Sequence, residues 1–155
     1  MNEENVKKKN IILIPCSGAE YNGELARRVA IRLSENSKIS LISTMHCSTI
    51  FLKNVLLKQE RMIEITKNNL RSSYIIIIDG CKISCASTIF RFLQIEPDIV
   101  IHIDELVPKA KINLNDIEAF KNRPRMSNIK EEDIEKVSKY LLKKLEEKKF
   151  EFEQN

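Results

Sequence analysis

Four isoleucines in succession, Ile75-Ile76-Ile77-Ile78, followed at once by Asp79-Gly80-Cys81, constrain this chain more than any other segment. A short, β-branched run without alternation is the pattern of a strand buried on both faces, because alternation is needed only where one face meets water. A second run, Ile11-Ile12-Leu13-Ile14, has the same character and leads into Pro15-Cys16-Ser17-Gly18. Two further apolar runs are bounded by polar loops, so strands are expected at about residues 10–15, 38–43, 74–79 and 98–103.

Helical periodicity fills the intervals. Leu25, Val29 and Leu33 recur every four residues with Ala26 and Ala30 beside them, and Asn22 is placed to cap that helix. The next interval is long, with apolar clusters at Phe51-Leu52, at Val55-Leu56 and at Met62, Ile63, Thr66 and Leu70, room for two helices. A third helix is expected to open at Cys81 or Ser84. It would run through Ile89, Phe90 and Leu93 and stop before Pro97. The alternation of strand and helix predicts an α/β fold: three layers, with a four-stranded, mainly parallel sheet flanked by helices through right-handed crossovers. The strand order expected is 2-1-3-4.

Past residue 104 the pattern changes. Residues 115–121 have the makings of a short helix, broken by Arg123-Pro124-Arg125. Residues 129–149 form an amphipathic helical pattern with Ile134, Val137, Leu141 and Leu145 on one stripe, and Asn128 with Glu131 resembles a capping box. The chain divides into a tail at 1–9, a four-cysteine α/β domain at 10–111 and a C-terminal helical extension at 112–155. That extension is expected to pack on the same domain, with dimerisation as its alternative role.

The net charge is +4, from 26 basic and 22 acidic residues, and the signs are interspersed. No basic stripe is interleaved with aromatics, so nucleic acid is not an expected partner. Apolar runs fall far short of the roughly 20 residues a membrane span needs, and the first residues lack a secretory leader pattern. A cytoplasmic setting is the expectation, and there clustered cysteines are metal ligands or redox groups more often than disulfides.

All four cysteines follow directly on expected strands: Cys16 after the first, Cys47 after the second, Cys81 after the third, and Cys85 four residues later. Loops that follow parallel strands share one edge of a sheet, so these sulfurs are expected to meet. The chain has only three glycines where average usage of about 7% would give roughly eleven, and Gly18, Gly23 and Gly80 are all expected in these same loops. Four thiolates make a closed tetrahedral zinc site or hold an iron–sulfur cluster. If Cys81 and Cys85 share a helix, their Cβ atoms lie about 5–6 Å apart. The amides of the helix N-terminus would then favour thiolate over thiol.

Other readings of the same residues stand beside this one. Free cysteines often serve as small buried hydrophobes. Cys81 and Cys85 could join in a disulfide. Cys16 or Cys81 could be the low-pKa thiol of a redox or sulfur-transfer enzyme, although the only histidines available to orient a nucleophile are His46 and His102. His46, beside Cys47, is a candidate replacement for a thiolate, while His102 lies within an expected strand and reads as a sheet histidine. Asp79 is placed to accept N–H groups from the turn and helix that follow it, and Ser17 to donate to a sulfur.

Ile78-Asp79-Gly80-Cys81 with Cys85-Ala86 resembles the signature of the DGC domain family, which takes its name from Asp-Gly-Cys. Cys16-Ser17-Gly18, Gly23-Glu24-Leu25-Ala26, Met45-His46-Cys47 and residues 101–106 with Lys109 match further parts of the family pattern, over about residues 10–111. The segment between Cys47 and Tyr74 departs from it, being longer and more charged. The resemblance implies one zinc ion held by Cys16, Cys47, Cys81 and Cys85, and no established reaction. A four-thiolate site has no position open for water, which argues against a zinc hydrolase. The partners expected are a metal ion and a protein, either another chain or a second copy.

Overall fold

The computed structural model describes residues 10–16, 20–35, 42–44, 60–71, 73–107 and 128–147. In chain order the elements are β1 (Ile11–Pro15), α1 (Tyr21–Glu35), β2 (Ile42–Thr44), α2 (Glu60–Arg71), β3 (Tyr74–Asp79), α3 (Cys85–Phe92), β4 (Ile99–His102), α4 (Ile103–Leu106) and α5 (Glu131–Glu147). The strands pair in parallel in the order β2-β1-β3-β4. The helices expected at 51–56 and 115–121 lie outside the described residues.

The two central strands explain their own composition. Ile11 and Leu13 of β1 join Ile76 and Ile78 of β3 on one face, in a core completed by Leu25, Ala26, Val29 and Leu33 of α1. Ile12, Ile14, Ile75 and Ile77 turn to the other face, where Leu70, Ala86, Phe90 and Leu93 cover them. Both faces are dry, so neither strand alternates.

The second strand runs on to Thr44, one residue past the expected span. Ser43 and Thr44, expected to open the loop, belong to β2 and pair with Ile12 and Leu13. Pairing with β1 is made by backbone groups, and a strand with one sheet neighbour accepts polar residues that a central strand would not.

Helix α5 lays Ile134, Val137, Leu141 and Leu145 into the core that α1 lines. The Tyr21 hydroxyl of α1 donates to Asp133 Oδ2 at 2.6 Å in a buried bond that ties the two helices. Arg32 and Glu131 pair across their exposed rim. α5 begins at Glu131, three residues after Asn128, and its first bonds run from Asp133 and Ile134 back to the Lys130 carbonyl. Glu131, Glu132 and Asp133 place their carboxylates in the first turn, where the helix dipole favours negative charge. Likewise α1 begins at Tyr21, so Asn22 and Gly23 lie inside the helix, not before it. No helix among the described residues is long and apolar enough to cross a membrane.

Gly80 follows β3 where the chain passes the start of α1. A Cβ there would stand 3.1 Å from the Gly23 nitrogen and 3.2 Å from Asn22 atoms, most of them backbone that cannot swing aside. At the far end, α3 closes through Ile95 N–H to Phe90 O and Gln94 N–H to Arg91 O, both 3.0 Å. This two-bond closure places its left-handed residue, at φ 57°, on Gln94 in place of the usual glycine. The helix therefore ends by its own capping geometry, before Pro97 is reached. Two substitutions should move stability in opposite directions. Gly80→Ala should destabilise by about 1–3 kcal/mol through overpacking. Gln94→Gly should stabilise by up to about 1 kcal/mol by relieving the left-handed residue. Urea titration reads both, and a Gly80→Ala variant as stable as the parent would refute the close approach.

Candidate metal centre

The sheet brings three of the four cysteines to its carboxyl edge. Cys16 continues β1 by one residue, its N–H donating to the Ile78 carbonyl at 2.8 Å. It is 7% exposed and belongs to the core on the α1 face. Cys81 lies two residues beyond the end of β3 and is half-buried, and Cys85 is exposed. Cys47, His46 and Ser17 lie outside the described residues.

Cys81 is not on a helix; of the two starts expected, Cys81 or Ser84, the structure is close to the later one. Residues 81–84 form a turn closed by Ser84 N–H to the Cys81 carbonyl at 2.9 Å, and α3 starts only at Cys85. Ser84, just before the helix, has φ 54° and ψ 48°, a left-handed conformation that makes no side-chain cap. Asp79 takes over capping from a distance. Fully buried, it accepts the N–H of Ala86 at 2.9 Å and of Ser87 at 3.2 Å, and the Ser87 hydroxyl at 2.5 Å. The helix N-terminus therefore serves a carboxylate of its own chain and does not activate Cys81. A left-handed serine costs about 1–2 kcal/mol, set against charge-assisted bonds each worth about 1.5–3 kcal/mol.

The electrostatics of Cys81 also reverse the expectation. Burial is the main cause that pushes its thiol up, opposed by a hydrogen bond from the Ile83 backbone. Cys16, Asp104 and Glu20 push it further in the same direction. Asp104, in α4, is 6% exposed, and its Oδ1 has no hydrogen-bond partner among the described residues. No three histidine, cysteine, aspartate or glutamate side chains among the described residues stand close enough together to hold a metal ion. What they offer is two thiols at the ends of the paired strands β1 and β3, Cys16 buried and Cys81 half-buried, and a buried carboxylate oxygen without a partner among the described residues. No disulfide joins Cys16, Cys81 and Cys85 to one another, which removes the Cys81–Cys85 bridge considered from the sequence.

Two residues enter the neighbourhood that spacing did not single out. His102 ends β4 opposite Asp79, and its Nε2 lies 2.8 Å from the Ser84 hydroxyl, a contact that steadies the turn carrying Cys81. Asp104 follows two residues later. Both fall within residues 101–106, which the resemblance to the family pattern had taken in without assigning them a role.

Comparison with known proteins agrees with this framework. No curated protein and no solved structure matches the chain. The sequence model of the DGC domain matches residues 12–141. The match extends past residue 111, where the sequence resemblance seemed to stop, and takes in most of α5, the helix whose apolar stripe completes the core beneath Cys16. The chain belongs to the DGC domain family.

Proposed function

We propose that this domain binds one zinc ion at the carboxyl edge of its sheet. Cys16 and Cys81 would form the buried half of the site, with Cys47 and Cys85 the further thiolates available. The observation that carries the reading is that Cys16 and Cys81 both stand at the carboxyl ends of the paired strands β1 and β3, in a chain of the DGC domain family, and thiolates so placed suit zinc. Residence in a reducing, cytoplasmic compartment belongs to the same reading, since it keeps these thiols available.

When bound, zinc would lock three loop ends together through its thiolates. A closed set of four anionic ligands carries a formal charge of about −2 and leaves no position for water, so the centre is a poor Lewis acid. Holding loops, passing the ion to a partner, or releasing it when sulfur is oxidised suit it better than hydrolysis. The raised Cys81 thiol weighs against a redox or sulfur-transfer enzyme that uses Cys81 as its nucleophile, because reactivity needs the thiolate. An iron–sulfur cluster remains the alternative ligand for four thiolates and differs in colour.

Protein purified without chelator should contain about one zinc per chain and lack a visible absorption band. Cys81→Ser should lose the metal, remain folded on its two-faced core, and melt about 5–10 °C lower, the shift expected when a ligand held near 100 times its dissociation constant is lost. Elemental analysis and thermal melts decide. Metal-free protein whose thiols all titrate at once, or a brown protein carrying iron, would refute zinc.

A further inference from the structure

Burial does little to hold the turn between β3 and α3, since Lys82 and Ile83 are both exposed. Polar contacts hold it instead. Ser84 stands just before α3, in the position of an N-cap, but its side chain caps nothing. The amides it would serve are taken by Asp79. The Ser84 hydroxyl turns to His102 Nε2 at 2.8 Å and approaches the Lys82 carbonyl at 3.3 Å. Its N–H donates to the Cys81 carbonyl at 2.9 Å, and the Ile83 N–H bonds the Cys81 thiol. Ser84 thus links Cys81 on one side to β4 on the other.

The backbone of Ser84 is left-handed, at φ 54° and ψ 48°, a conformation that a residue with a Cβ keeps only where its surroundings over-determine it. Two contacts do so here. Asp79 fixes where α3 begins, and His102 fixes the serine side chain. His102 is itself set by the sheet, as the last residue of β4 opposite Asp79. The histidine therefore carries the register of the sheet into a turn that burial leaves loose. On that turn Cys81 is half-buried, while Cys85, one residue beyond Ser84, is exposed.

We propose that His102 is a positioning residue for Cys81. Acting through the Ser84 hydroxyl, it latches the 81–84 turn and keeps the Cys81 thiol covered. Of the two neighbouring cysteines, Cys85 then meets a thiol-reactive small molecule at once, and Cys81 meets it only when the turn opens. The latch is a local equilibrium between a closed and an open turn, and His102 weights it toward the closed one. It is built entirely from side chains and backbone of this chain and needs no bound ion. The inference therefore goes beyond the zinc-binding reading and does not depend on it.

Iodoacetamide is the probe, added to the full chain under reducing conditions with a chelator present, and alkylation at each cysteine is followed by peptide mass spectrometry. In the parent, Cys85 should react first, Cys81 more slowly, and Cys16, 7% exposed, most slowly. His102→Ala and Ser84→Ala should each speed Cys81 by about threefold to tenfold, the effect of one lost hydrogen bond on local opening. Cys16 should keep its parent rate, because a core thiol reports global unfolding. The double variant should be no faster than either single one, since both remove the same contact. His102→Gln, whose amide also meets a hydroxyl, should restore much of the protection. Cys81 at its parent rate in both alanine variants overturns the proposal. So does a rise at Cys16 in step with Cys81, which makes the histidine a general stabiliser only, or a double variant that multiplies the two single effects. A parent whose Cys81 reacts as fast as Cys85 overturns it outright. If His102→Ala fails to fold, Ser84→Ala and His102→Gln decide.

Discussion

Everything at the cysteine-bearing edge depends on the pairing of β1 with β3. These strands align residue for residue from Ile11 opposite Tyr74 to Pro15 opposite Ile78, and the Cys16 amide adds one more bond to the Ile78 carbonyl. Both strands are covered on both faces, so sliding the register by one residue would exchange the α1-facing and α3-facing side chains throughout. With the register held this firmly, the place where each strand stops is also held. Cys16 leaves the sheet beside the strand that delivers Cys81.

From that base the edge is built by polar groups whose partners are nearly all internal. Asp79, the last residue of β3, turns both carboxylate oxygens to the first turn of α3 and so sets the distance between the strand and the helix. The four residues between them cannot run straight across. They turn through a left-handed Ser84, steadied by His102, and this turn puts Cys81 under cover and Cys85 in solvent. Two cysteines four residues apart thus acquire different environments. One is half-buried with its thiol pushed up by burial, and the other is exposed.

The C-terminal helix is part of this construction. Its apolar stripe fills the same core that receives the side chain of Cys16, and Asp133 bonds to the first residue of α1. The start of α1 is also where Gly80 passes within contact of Gly23. A disturbance at α5 would therefore reach the cysteine edge through α1. The span of the family match, which runs into α5, agrees with that dependence.

The sequence by itself determined the parallel α/β architecture, through the unbroken runs at 11–14 and 75–78 and the four-residue periodicity of Leu25, Val29 and Leu33. It also put Cys16 and Cys81 just past the ends of β1 and β3, and it marked Asp79 as the acceptor for the helix that follows. What it could not convey were the offsets. Ser43 and Thr44 look like loop, yet the hydrogen-bonding groups of β1 draw them into β2. Cys81 has helical spacing to Cys85, yet the carboxylate of Asp79 claims the helix N-terminus and excludes Cys81 from it. That Asp104 Oδ1 is buried without a partner among the described residues was legible nowhere along the chain. Periodicity reports which face a residue occupies. Whether a polar atom finds a partner is decided by side chains far apart in sequence, and only the tertiary structure brings those together.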